Sequence, residues 1–108
     1  IFLKYCAVTK GDVDAIRDRC LRDKRESGFF GGVVIAIKIF TTRNGDEMAH
    51  VQIETIPGEY QTVCFNKEWY KLKKLLQVGN SIILKVSTTK TGDFVCRDAR
   101  HVEQIKKR

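Results

Sequence analysis

The chain has 108 residues, 12.4 kDa and a net charge of +7, with 43% hydrophobic and 31% charged residues. That bounds it to one domain with a single core and is too apolar for a disordered chain. No apolar run approaches the roughly 18 residues of a membrane-spanning helix.

The first ten residues pass from apolar to polar without an assignable pattern. They lack methionine, a basic start and a small-residue cleavage site. The expectation is a piece of something longer, not a signal peptide. From Asp12 onward, Val13, Ile16, Cys20 and Leu21 fall on one helical stripe. This predicts a lead-in helix capped by Asp12 and stopped at Ser27-Gly28. Its other faces hold bases and acids in balance, which suits a structural element better than a binding helix.

Gly31-Gly32 opens an apolar run from Val33 to Phe40, and Thr41 to Asp46 turns the chain. Met48 to Thr55 then alternates Ala49, Val51 and Ile53 against His50, Gln52 and Glu54: strand, glycine turn, strand. A lone hairpin does not hold in water, so the remaining chain must cover its apolar face. Ile56-Pro57-Gly58-Glu59 is a turn signature, and Tyr60 to Phe65 reads as a third strand. Asn66 is expected to cap a helix with Trp69, Leu72, Leu75 and Leu76 on one face and Lys67, Lys71, Lys73 and Lys74 on the other. Gly79 ends it. Ser81 to Thr89 is a fourth strand, Lys90-Thr91-Gly92-Asp93 a tight turn, and Phe94 to Ile105 a fifth strand running into Lys106-Lys107-Arg108.

The order β-β-β-α-β-β predicts a mainly β chain: a five-stranded OB-fold barrel at residues 29–108, preceded by a 1–28 extension with the lead-in helix. Ala49, Val51, Ile53, Val63, Phe65, Ile82, Leu84 and Val86 are expected inside, with Trp69, Leu72 and Leu76 closing the bottom.

Chemistry is sparse. Cys6, Cys20, Cys64 and Cys96 form no CxxC pair, so no metal site is expected. They read as small buried apolar groups, and a reduced set implies a cytoplasmic setting. His50 and His101 have no nucleophile or carboxylate arrangement beside them. Gly31-Gly32 precedes a strand and lacks the lysine of a phosphate loop. The expectation is no catalytic residue and no cofactor.

The positive charge carries more. From Gly28 to Phe65, Lys38 and Arg43 are outnumbered by Asp46, Glu47, Glu54 and Glu59. From Asn80 on, Lys85, Lys90, Arg97, Arg100 and the terminal cluster outnumber Asp93, Asp98 and Glu103. On an OB barrel, single strands lie over the outer face of strands two and three between the first and last hairpin loops. The expected outward residues are His50, Gln52, Tyr60 and Thr62, with Arg43, Asn44 and Lys90 from the loops. Lys38, Lys85, Arg97 and Arg100 are outward bases on neighbouring strands, and Tyr60 and Phe94 the stacking candidates. The lysine face of the second helix reads as a solvated surface. Glu54 near the groove predicts weak, salt-sensitive and non-specific binding. The competing class is a protein-interaction or spacer module, built on an outward apolar patch of Val34, Ala36, Phe40 and Ile83. Val13, Ile16 and Cys20 of the lead-in helix are expected to cover that patch.

Thr42 to Glu54, T-R-N-G-D-E-M-A-H-V-Q-I-E, resembles the first hairpin of the OB domain in bacterial DNA polymerase III alpha subunits. Val63-Cys64-Phe65, Trp69, Leu75-Leu76 and Val78-Gly79-Asn80 resemble that family's third strand, helix and entry to strand four. His50 stands where the family usually has an aromatic, Ile53-Glu54-Thr55 replaces L-E-D, and Asn66 replaces a common proline. The pattern is that of a divergent phage or mobile-element member. The resemblance implies an accessory, non-catalytic module of a replicative polymerase. Its partners would be single-stranded DNA (or RNA) and the other domains of a parent polymerase, without a membrane. The related tRNA-binding OB modules of synthetases share the same outline.

Overall fold

The computed structural model describes residues 6, 7 and 9–101. A helix α1 (Lys10–Arg22) leads into β1 (Gly28–Thr41), β2 (Glu47–Thr55), β3 (Gly58–Cys64), α2 (Asn66–Leu72), β4 (Ser81–Thr88) and β5 (Phe94–His101). The strands close into a barrel in the order β1-β2-β3-β5-β4, with β4 returning to β1. This is the OB-fold, five strands and a helix between the third and fourth. Its pairs are antiparallel except β3 with β5, which run parallel with Thr62 opposite Phe94 and Val63 opposite Val95.

Closure depends on β1 belonging to two sides of the barrel. Gly28 to Val33 pair with β4, and from Gly32 onward the strand pairs with β2. Gly32 stands where both pairings overlap, and a Cβ there would run into the Glu54 carbonyl. The expected strand began after the glycine pair. The observed one runs through it, because Gly32 permits a close backbone approach and does not end the strand. A bulge follows between Val34 and Ala36 and re-aims the rest of the strand.

The two helices cover opposite ends. Thr9, not Asp12, caps α1: its hydroxyl accepts from the Asp12 N–H, and Asp12 reaches back to the Thr9 N–H, each at 3.0 Å. Asp12 is thus the third helical residue of a capping box. The helix stops at Arg22, short of the expected Ser27-Gly28, and buries Val13, Ile16 and Cys20 while Leu21 stays exposed. The other helix, α2, starts after Phe65 with no side-chain cap, so Asn66 opens the helix without capping it. Trp69 Nε1 donates to Glu47 Oε1 at 3.2 Å, and the Glu47 N–H donates to the Tyr70 hydroxyl at 2.8 Å. Those bonds fasten α2 to the start of β2.

One core joins Phe30, Val34, Val51, Ile53, Leu84, Val86 and Phe94 to Trp69, Leu72 and Leu76 at one end and to Val13, Ile16 and Cys20 at the other. All four cysteines are buried and none is joined in a disulfide. The β5 residues expected beyond His101, up to Ile105, lie outside the described residues. Among the described residues no helix is long and apolar enough to cross a membrane, and no group of three potential metal ligands converges.

Three expectations about facing are corrected. β3 has the opposite register: Thr62 and Cys64 are fully buried, whereas Val63 is half-buried and Phe65 exposed. Thr62 is accommodated inside because its hydroxyl donates to the Val51 carbonyl at 3.4 Å. The apolar outer patch does not form either. The β1 bulge turns Val34 into the core, fully buried, while Ala36 remains outside and Phe40 packs on His50. Ile16 of α1, expected over that patch, packs instead where a Cβ on Gly28 would sit, at the start of β1.

Candidate nucleic-acid interface

The outer face of β1, β2 and β3 is built in rungs, because side chains opposite one another on paired strands share a side. Lys38, His50 and Val63 form one rung; Ala36, Gln52 and Gln61 form the next. Phe40 and Met48 stand beyond them. The His50 ring meets Phe40 edge-on with centroids 5.0 Å apart, and its Nδ1 accepts from Gln61 Nε2 at 3.3 Å. The face therefore offers a fixed aromatic pair flanked by one lysine and two carboxamides.

Two hairpin turns bracket this region, and they are copies of one design. Thr42-Arg43-Asn44-Gly45-Asp46 joins β1 to β2, and Thr89-Lys90-Thr91-Gly92-Asp93 joins β4 to β5. In each, the threonine N–H donates to the aspartate carbonyl and the glycine N–H donates back to the threonine carbonyl. Gly45 and Gly92 take φ of +86° and +89°, the left-handed region that favours glycine. Each turn therefore presents its second residue, Arg43 or Lys90, as an exposed base on a rigid tip.

The second turn also walls a cleft of about 370 Å³. Its lining includes His50, Gln61 and Val63 from the rungs, Gly92 of the turn and Phe94 just beyond it, and Arg17 from α1. Its apolar floor is an aromatic cluster in which Phe30 stacks on Tyr60 at 5.5 Å and meets Phe94 edge-on at 4.9 Å. Arg17 lies over the Phe94 ring and donates from Nε to the Gly92 carbonyl at 3.2 Å.

The twelve residues singled out by sequence separate into four groups of three. Lys38, His50 and Gln52 share the outer face, and Arg43, Asn44 and Lys90 occupy the turns. Tyr60, Thr62 and Phe94 point inward: Tyr60 is half-buried on Phe30, Thr62 wholly buried and Phe94 4% exposed. A Phe94 ring already covered by Phe30 and Arg17 presents no free face for a base. Lys85, Arg97 and Arg100 lie elsewhere. Lys85 is opposite Phe29 and Asp98, and Arg100 opposite Ile83, on the β1–β4–β5 side. Arg97 sits in a bulge of β5, donating to Ser87 Oγ at 2.6 Å and pairing with Glu68 at 3.8 Å. The outward Gln61 and Val63 escaped the sequence reading because they follow from the β3 register, and Phe40, expected outward in an apolar patch, packs on His50 instead. Arg17 escaped it because a charge-balanced helix carries no sign of which base turns toward the barrel.

No protein-family model matches the sequence, and no curated protein does. Solved structures do. The mitochondrial single-stranded DNA binding protein Rim1 of S. cerevisiae superposes with a TM-score of 0.59 in its selenomethionine form. That match covers 71% of this chain and 93% of the other at 15% identity. A further crystal form gives 0.55 over 71% and 95%, and a third structure 0.57 over 70% and 92%, each at 15% identity. The fold is shared with a single-stranded DNA binding protein. At this identity the likeness extends to the barrel and its connections.

Proposed function

We propose that this chain binds single-stranded nucleic acid across the outer face of β2 and β3, weakly and without base specificity. The observation that carries the reading is the Phe40–His50 aromatic pair, set outward between Lys38, Gln52 and Gln61 and next to a cleft walled by the β4–β5 turn. A polynucleotide needs two things from such a surface, flat groups for its bases and cations for its phosphates. The pair supplies the first, and Lys38, Arg43 and Lys90 the second. The shared fold with a protein named for binding single-stranded DNA supports the same reading.

A narrower proposal is that the chain is the template-binding accessory module of a polymerase III alpha-like enzyme. The resemblance of residues 42–54 to that family's first OB hairpin supports it; acidic transferase motifs encoded beside this chain would test it.

Fluorescence anisotropy with labelled oligo(dT), repeated over a salt series, tests the main reading. Binding should be saturable and weaken with salt by about 0.7 log units per released phosphate for each tenfold rise in salt concentration. Phe40→Ala and His50→Ala should each lose about fivefold, the low end of one stacked base. No binding at low salt, or binding untouched by both variants, overturns it.

A further inference from the structure

We infer that a second cleft, behind the β4–β5 turn, holds a backbone phosphate of the same strand after it has crossed the outer face. This cleft has a volume of about 320 Å³ and is lined by Leu21 of α1 and Lys24 just after it, by Thr88 and Lys90, and by Arg97 of β5. Three cations drawn from separate segments converge on it, and no carboxylate is among its lining residues. Arg97 is held in place by Ser87 and Glu68, so its guanidinium is preoriented. Thr88 adds a buried hydroxyl oxygen that has no hydrogen-bond partner among the described residues. Buried hydroxyls are ordinarily satisfied, so a lone one at a cationic cleft fits a site waiting for an acceptor. A phosphodiester supplies that acceptor together with negative charge for the cleft, where among the three bases only Arg97 has a carboxylate beside it, Glu68.

The inference rests on the proposed groove, because Lys90 stands on the turn that separates the two clefts. The groove-facing cleft includes Gly92 and Phe94 on one side of that turn, and the second cleft includes Thr88 to Lys90 on the other. A strand crossing the face and passing over the turn reaches both. A strand too short to pass the turn reaches only the first.

Length therefore separates the sites. OB barrels engage about 4–16 nucleotides, so oligo(dT) of about 5 and about 15 nucleotides brackets the range. Anisotropy titrations should show Lys24→Glu weakening the longer oligomer several-fold and lowering its salt slope by about 0.7, one phosphate's share. The shorter oligomer should be unaffected. Thr88→Val should weaken the longer oligomer alone, and Lys24→Arg should bind like wild type. Lys71→Glu makes the same change of net charge on α2 and should change neither length. If wild type binds both oligomers and Lys24→Glu alters neither, or alters both equally, the second site is overturned while the groove stands. If wild type binds neither, the groove reading falls and this one with it.

Discussion

The guanidinium carbon of Arg17 stands 4.8 Å from the centroid of the Phe94 ring, while its Nε donates to the Gly92 carbonyl at 3.2 Å. A single side chain of the lead-in helix thus pins both the end of the β4–β5 turn and the first residue of β5. A cation over an aromatic face contributes about 0.5–1 kcal/mol where solvent reaches it, and a hydrogen bond about 1 kcal/mol. Arg17→Ala should therefore cost about 1–2 kcal/mol in urea unfolding. It should also weaken oligo(dT), because a loosened turn no longer holds Lys90 beside the groove. Arg17→Lys should keep the charge but not the planar contact, recovering only part of the stability. Wild-type stability in Arg17→Ala would remove the pinning role.

Tyr60 distinguishes a core aromatic from a stacking platform. Its ring lies 5.5 Å from Phe30 in a stacked arrangement and meets Phe94 edge-on at 6.3 Å. Truncating a core aromatic costs about 3–5 kcal/mol, and Tyr60 is only half-buried. Tyr60→Ala should therefore fall near 3 kcal/mol, about the low end of that range, with Tyr60→Phe near neutral. Gln61→Ala, one residue on and facing outward, should leave urea stability unchanged and weaken oligo(dT) binding. The reverse pattern would put β3 in the register first expected.

How much of this could be read from the chain depends on which residues carried an unambiguous period. The second strand was legible because Ala49, Val51 and Ile53 alternate cleanly against polar residues, and the barrel followed from five strand-like runs and one lysine-faced helix. The third strand was not. Tyr60-Gln61-Thr62-Val63-Cys64-Phe65 offers an apolar residue to either face, so a slip of one position costs little by pattern alone. What decides it lies outside the strand: the Val51 carbonyl that receives Thr62 and the Phe30 ring that receives Tyr60. The bulge after Val34 is equally silent in sequence, and it turns Val34 into the core while Ala36 and Phe40 keep the outward side expected of them. Cap choice failed for a smaller reason. Thr9 and Asp12 are both good cap residues, and only the reciprocal bonds of a capping box tell them apart.

Glu54 and Glu59 lie directly opposite one another on β2 and β3, and both are exposed. Like charges in that relation destabilise a sheet, by about 0.2–1 kcal/mol on the scale of cross-strand pairs. They also repel phosphate at one margin of the outer face, and Glu59 lines the groove-facing cleft beside Arg17. Glu59→Lys should both stabilise the chain slightly and tighten oligo(dT). The steeper salt slope should correspond to about one more released phosphate, near 0.7. An unchanged slope would mean the strand passes elsewhere on the barrel.

The buried thiols make stability fall in alkaline solution. Cys96 is held far above the ordinary cysteine range, first by its hydrogen bond with Cys64 and then by burial, and burial also raises Cys20 and Cys6. In the unfolded chain each thiol loses its proton near pH 8.5, about the free value. Below that pH both states carry the proton and these groups give no slope. Above it only the unfolded chain releases protons, so the native state binds more of them and stability drops as pH rises toward the folded values. The drop is about 1.4 kcal/mol per pH unit for each thiol still protonated in the native state. Urea unfolding under reducing conditions should therefore be level in this respect up to about pH 8 and decline by about pH 9.5. Cys96→Ala should be less stable at every pH because it leaves a small void, yet its alkaline decline should be shallower by one thiol's share. An equal decline in both proteins would mean that Cys96 does not hold its proton in the folded barrel.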